Sequence, residues 1–410
     1  MKLKIKKVNL DMDYTAIRAK CKKTSDFSDP ILNELMYYAA QRNKVNQHFD
    51  LLAKKHKSIF GRLDQSNQGL FKSQYIIHEI FKKEGLIHKY LNHSAVKSMP
   101  QEDYTYLEKQ AQMPWRFTYW FFRSSPAPDF FESVDIFTGE EFLLFSPGVS
   151  LTLIDSEVAT FGGLISSDGS CYQTFGPLTG FRSFQADDIF FYGGELDPLV
   201  ESIDNLLALI QKDLFSFLLL SVFSAIPMVK HERHEILHVI SGIEFTDFDM
   251  LLWEKDFRVE YSDEVFKMSL KELDGFPHFC CVYWSEAKEE LTLSAMTDFG
   301  YDALLNSLKK LGIQVPSEPD IRLHLSMQTA IEDILGNQVD LLPYEKLFQS
   351  GSDENVKSPE MDALNDFLNL LVPAVNSKKE VDLDLMISET GADPQAARAI
   401  YKDLMKKLKK

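Results

Sequence analysis

The chain has 410 residues, 45% hydrophobic and 26% charged, and its 61 acidic against 44 basic side chains give a net charge of −17. Roughly two to four domains fit that length, and the composition is that of a globular chain rather than a disordered or fibrous one. The negative balance excludes nucleic-acid binding by the surface as a whole and leaves only a local basic patch for it. Four cysteines, at 21, 171, 280 and 281, are too few for a disulfide framework, so a reducing cytoplasm is the expected location.

The first residues, Met1 to Lys7, carry positive charge with no apolar run behind it, so export by a signal peptide is not expected. Leu3 to Leu10 reads as a strand. Asp29-Pro30 supplies an N-cap and a proline at the first helical position. After it Ile31, Leu35, Tyr38, Val45, Phe49, Leu52 and Ile59 recur at helical spacing, with Arg42 and His56 in the same stripe, and predict one long helix. Further helices are expected over 73–83 and 101–112. His78, His88 and His93 are irregularly spaced and read as surface or partly buried residues rather than metal ligands.

From Trp115 to Glu195 the chain is dense in aromatic and β-branched residues and is cut by Pro, Gly and Asp-Gly, the pattern of a small barrel of short strands. Strands are expected at 130–137 and 141–145 around Thr138-Gly139, then at 151–153, 159–165, 172–175 and 189–192. Gly162-Gly163 and Gly193-Gly194 read as turn glycines, and neither belongs to a phosphate-binding pattern. The acidic pairs Glu140-Glu141 and Asp187-Asp188 read as solvated edges.

Asp197-Pro198 starts a helix carrying Leu199, Ile203, Leu206 and Ile210, which runs into the apolar stretch from Leu214 to Val229. At 16 residues that stretch is shorter than the roughly 20 a membrane span needs, so a buried core helix is expected and no membrane partner. Beyond it come strands at 235–245, 266–270, 279–284 and 291–296, a helix from Tyr301 to Leu311 stopped by Gly312, a strand at 321–325 and a helix at 327–335. The fold class expected is α+β and multidomain. Its parts are a helical domain (1–113), a small barrel-like all-β domain (114–195), a buried connecting helix (196–230), an α+β domain (231–348), a linker (349–357) and a helical C-terminal module (358–410).

Two constellations point to chemistry. His234-Glu235-Ile236-Leu237-His238 matches H-E-x-x-H, with His231 three residues earlier. On a helix His234 and His238 lie about 5–6 Å apart and can share a zinc ion while Glu235 polarises a water, with Glu254 or Glu260 as an assumed third ligand. On a strand they lie some ~13 Å apart and cannot. The β-branched residues after the motif and Pro227 before it favour the strand. In the second, the last helix lines up Arg398, Lys402, Lys406 and Lys409 opposite an apolar face, the outline of a helix-turn-helix reader of nucleic acid. A solvated basic face near a helix C-terminus accounts for the same residues. There is no G-x-S-x-G, C-x-x-C, Walker or Rossmann pattern, and Cys280 and Cys281 read as buried thiols in an apolar strand.

At Phe130 to Val149, Phe-Phe-Glu-Ser-Val-Asp-Ile-Phe-Thr-Gly-Glu-Glu-Phe-Leu-Leu-Phe-Ser-Pro-Gly-Val, the chain resembles a group of uncharacterised bacterial proteins. These have a helical first half, a small β domain with a similar D-x-x-T-G-E hairpin, and often a cysteine-rich zinc tail, the SEC-C motif. The stretch Leu291 to Gly312 is similar to the same group. The resemblance implies an intracellular protein and brings no catalytic residue. No cysteine-containing tail is present, so its zinc role does not carry over. The reading adopted is a non-catalytic protein-binding or scaffold role with no cofactor. Its alternatives are a zinc hydrolase using His231, His234, Glu235 and His238, and nucleic-acid binding through the C-terminal module.

Overall fold

The computed structural model describes residues 12–152, 160–181, 185–224, 230–246, 248–348, 363, 366–367, 370–371, 382–394, 397–398 and 400–402. The expected strand at 3–10 and the linker lie outside the described residues. The chain is α+β, with a closed five-stranded barrel and a separate six-stranded sheet, and divides into two compact units, 1–341 and 342–410.

Asp13 opens α1 (Tyr14–Arg42), its carboxylate accepting from the N–H groups of Thr15 and Ala16 at 3.1 and 3.0 Å. The helix does not begin at Asp29-Pro30 as the sequence suggests; Pro30 lies within it. A proline there removes a donor and crowds the preceding turn. Burial on both sides outweighs that cost: Cys21 packs on one side, and Ile31, Leu32, Leu35 and Ala39 on the other. The expected long helix is also broken at Lys44, which takes a left-handed φ of 59° before α2 (Val45–Lys55) and α3 (Lys57–Phe60). Its stripe is nevertheless core, with Ile31, Leu35, Val45, Phe49 and Ile59 all buried. Then come α4 (Gln65–Phe81), α5 (Ile87–Tyr90), α6 (Ser94–Lys97) and α7 (Gln101–Gln112).

The barrel strands are β1 (Arg116–Ala127), β2 (Phe130–Asp135), β3 (Glu141–Phe145), β4 (Thr160–Ser167) and β5 (Tyr172–Phe181), with α8 (Pro147–Thr152) after β3. Their order is β1-β2-β3-β5-β4, closed by β1 against β4 and by a short parallel pairing of β3 with β5. Trp120, Phe122, Phe131, Phe142, Leu144 and Phe161 fill the interior. Phe117 and Tyr119 face outward into the core of the helices, where the Tyr119 hydroxyl meets Ser221 Oγ at 2.7 Å.

The Gly162-Gly163 pair is not at a turn but inside β4, because a Cβ on Gly162 would lie 2.7 Å from the Tyr119 ring. The expected strand at 189–192 and the turn at Gly193-Gly194 are not formed either. These residues belong to α9 (Ala186–Leu196), where Gly193 lets Leu206 approach. Asp188 is fully buried rather than a solvated edge. It accepts from the N–H of Gln185 at 3.0 Å and of His324 at 3.2 Å, and burial pushes its carboxyl up.

The helix expected from Asp197-Pro198 begins only at α10 (Ile203–Lys212), capped by Ser202, and does not run on into the apolar stretch, whose described part is α11 (Leu214–Ser224), bent from α10 by 98°. No single helix among the described residues is long and apolar enough to cross a membrane. Helices, outer barrel face and α11 share one continuous hydrophobic core.

Two histidines are buried beside it. His78 has no side-chain exposure and faces Gln211 Oε1 at 3.2 Å, while His56 stacks on Phe215. His78 is thus a core residue, not the surface or partly buried one expected. Burial lowers both pKa values below the ordinary 6.5. Both imidazoles stay neutral in the fold, whereas the unfolded chain takes up protons below about 6.5. Their contribution is therefore present above that pH and is lost as pH falls through the lowered values. Denaturant titrations are expected to show stability falling from pH 7 to pH 5, with a shallower fall in His78→Gln.

The second sheet follows a two-stranded hairpin of β6 (Lys230–His231) and β7 (His234–Glu235). Its members are β8 (Leu237–Glu244), β9 (Phe257–Ser262), β10 (Val265–Leu270), β11 (Cys281–Ser285), β12 (Glu290–Ala295) and β13 (Ile321–His324), interspersed with α12 (Met250–Trp253) and α13 (Asp298–Lys310). They are antiparallel in the order β13-β8-β12-β11-β10-β9. Tyr301, Leu304 and Leu308 of α13 pack with Leu237, Val239, Leu291 and Leu293 on one sheet face. The expected helix at 327–335 is α14 (Leu325–Leu335).

The unit 342–410 contains α15 (Glu345–Phe348) and α16 (Leu383–Thr390), the latter ended by Gly391 at φ 69°. Phe367, Leu371, Ala392 and Ala397 form its small core.

Candidate functional site

The histidine segment is extended. His231 and His234 are cross-strand partners in the β6–β7 hairpin, which turns through Glu232 at φ 51°. The helical turn that a shared zinc requires of His234 and His238 is therefore not formed. His238 lies on β8 opposite Leu323. Glu260 sits on β9, four strands across the sheet from β8, or roughly 19 Å at ordinary strand spacing. Glu254 follows α12 as its C-cap. Among the described residues no three His, Cys, Asp or Glu side chains are placed to hold one metal ion.

The hairpin instead meets a third imidazole that sequence spacing did not reveal. His234 lies edge-on to His278 with ring centroids 5.0 Å apart, and both approach Phe299, at 5.5 and 5.2 Å. His231 sits edge-on to Phe276 at 4.6 Å, and Phe276 is 6.1 Å from Phe279. Three elements build the cluster: the hairpin, the loop entering β11 and the first turn of α13.

That loop is fixed by backbone bonds. The N–H groups of His278 and Phe279 both donate to Gly275 O at 3.0 Å, and Met296 N–H donates to His278 O at 2.7 Å. His278 Nδ1 lies 2.7 Å from Thr297 Oγ1, which also caps α13 by accepting from Gly300 N–H. Either atom of the His278–Thr297 pair can be the donor, according to the imidazole tautomer. Partial burial, and then the charges that His234 and His231 would carry, lower the His278 pKa.

Phe276 is 61% exposed, Phe299 49% and Phe279 44%. No protein-family model, characterised protein or solved structure matches the chain. Beside Phe299 a groove of about 540 Å³ runs between Lys271 and Lys310 and is lined also by Asp302 and Asn306.

The other sequence candidates lie elsewhere. Glu235 is half-buried, and its charge acts on Arg322, whose nearest carboxylate is Asp298 at 2.9 Å. Cys280 is buried, and its thiol is pushed up to about 12 by burial and by Cys281, which makes it a poor nucleophile. Arg398 pairs with Asp384 at 2.9 Å on an exposed surface, Lys402 is exposed, and Lys406 and Lys409 lie outside the described residues.

Proposed function

We propose that the chain is a protein-binding protein, and that the surface of Phe276, Phe279 and Phe299 with His231, His234 and His278 is where it grips a partner. The observation that carries the reading is the joint exposure of three phenylalanines gathered from a loop and a helix start. Scattered exposed apolar residues are ordinary on a soluble surface. Adjacent large ones with a polar rim mark contact sites, because aromatic rings supply much apolar area at little entropy cost.

The imidazoles form that rim. Imidazole rings both donate and accept hydrogen bonds, and the groove beside Phe299 extends the surface so that it could take an extended peptide segment. The partner expected is a peptide with one or two apolar anchors. The loop's backbone hydrogen bonds and the α13 cap hold the rings in place before binding, which limits the ordering cost of association.

Selection from a library of displayed peptides tests the proposal. Wild-type protein should enrich a sequence family whose affinity falls by at least about tenfold for Phe276→Ser/Phe299→Ser, as interface anchors do. Both side chains are largely exposed, so the thermal midpoint should stay within a few degrees of wild type. Equal enrichment by the variant, or none by the wild type, contradicts the proposal.

A further inference from the structure

We propose that a second site, a cavity between α1 and the α5–α6 segment, binds a small organic carboxylate. The cavity holds about 220 Å³, below the roughly 300–1,000 Å³ of sites for drug-sized ligands. Its lining divides by chemistry. Leu35, Tyr90 and Val96 are buried and Tyr38 half-buried, an apolar and aromatic floor suited to a phenyl ring or a short aliphatic chain. Around it stand Arg42, Asn43, Lys89 and His93, and no carboxylate lines the cavity.

In a chain of net charge −17, a pocket with two permanent cations and no acid reverses the local sign. Among the described residues neither Arg42 nor Lys89 forms a salt bridge, although the chain carries 61 acidic side chains. Both are held by neutral groups instead. The Arg42 guanidinium lies over the Tyr38 ring, 5.2 Å from its centroid, and Lys89 Nζ donates to Asn43 Oδ1 at 2.8 Å. Asn43 Nδ2 in turn donates to the Tyr90 hydroxyl, whose pKa burial raises, so the phenol stays neutral. His93 Nδ1 accepts from Ala95 N–H at 3.3 Å, which leaves the proton on Nε2 as one more donor.

An anion entering this space meets two cations whose charges are uncompensated, while its apolar body displaces water from the floor. A guanidinium fork suits a planar carboxylate. The mainly apolar floor selects against free inorganic phosphate, which has no apolar body to bury.

Calorimetric titration of the 410-residue chain tests this with benzoate and hexanoate, their neutral counterparts benzamide and hexanamide, and inorganic phosphate. The site predicts saturable one-to-one binding of at least one carboxylate, with its amide weaker by about tenfold or more. Arg42 and Lys89 are exposed, so Arg42→Gln/Lys89→Gln should unfold at the wild-type temperature while its carboxylate affinity falls by about tenfold or more. Failure of both carboxylates to saturate at millimolar concentration overturns the proposal. So does equal binding of acid and amide, unchanged binding by the variant, or phosphate binding in their place.

Discussion

Phe215→Ala should lower the unfolding free energy by about 3–5 kcal/mol, the range for a fully buried phenylalanine. Phe215 has no exposure and stands where three helices converge. Its ring lies 5.4 Å from Phe49 of α2, 5.6 Å from Phe60 of α3 and 5.0 Å from Phe71 of α4, with Tyr75 and His56 also in contact. Truncation therefore removes the transfer term and leaves a cavity lined by rings on separate rigid elements. Such a wall cannot collapse from one side, which puts the expected loss toward the upper end. Phe215→Leu keeps most of the volume and should cost less than about half as much. Denaturant midpoints report both, with an unchanged slope showing that the native state is otherwise intact.

Asp135→Ala should cost about 2–4 kcal/mol through a different mechanism, the stranding of buried donors. Asp135 is 2% exposed, and one carboxylate oxygen accepts from the N–H groups of Phe137 and Thr138 at 3.0 and 3.1 Å. The other accepts from Thr118 Oγ1 at 2.7 Å. One side chain thus shapes the β2–β3 turn and ties it to β1. Alanine leaves three donors without acceptors, whereas Asp135→Asn keeps one carbonyl oxygen for the turn and should cost about 1–2 kcal/mol. Urea titration of the three proteins would show the order wild type, Asn, Ala. Equal stability of all three would mean that the turn does not depend on this carboxylate.

That turn also shows why part of the fold was legible in the sequence. The β2–β3 hairpin is set by neighbours, Asp135 bonding two and three residues ahead and Gly139 supplying φ 69°, so its signal is local. The helix Gln101–Gln112 and the strand alternation at 266–270 are local in the same sense. Where distant contacts decide, local pattern misleads. Phe190-Phe191-Tyr192 has the composition of a strand, yet a capping box between Gln185 and Asp188 and the burial of Ile189 and Tyr192 make it helical. The Gln-x-x-Asp spacing was the one available clue. Pro30 is tolerated because residues buried on both sides of it hold α1 in place, and neither core is visible in the neighbouring residues. Strand β9 escaped notice because Arg258 and Glu260 interrupt its apolar residues at the sheet edge.

The candidate surface was half legible. H-E-x-x-H drew attention to a segment that forms part of this surface, and its extended form follows from the β-branched residues beside it. The residues that complete the cluster come from beyond β10 and from α13, brought in by the strand order of the sheet. Only the run Phe276-Pro277-His278-Phe279 hinted at them, since two phenylalanines flanking a proline and a histidine leave little room to bury both rings. The basic cavity left no motif at all, because its cations lie on α1 and α5 and mean nothing until the helices pack.

Amide hydrogen exchange, measured on the 410-residue chain with and without a peptide enriched by the wild-type protein, tests the binding proposal most directly. The account predicts slowed exchange over residues 230–236, 274–281 and 296–303, with the barrel and the helices of α1 to α7 unchanged. Protection centred on the barrel or those helices, with these three segments unaffected, would contradict it.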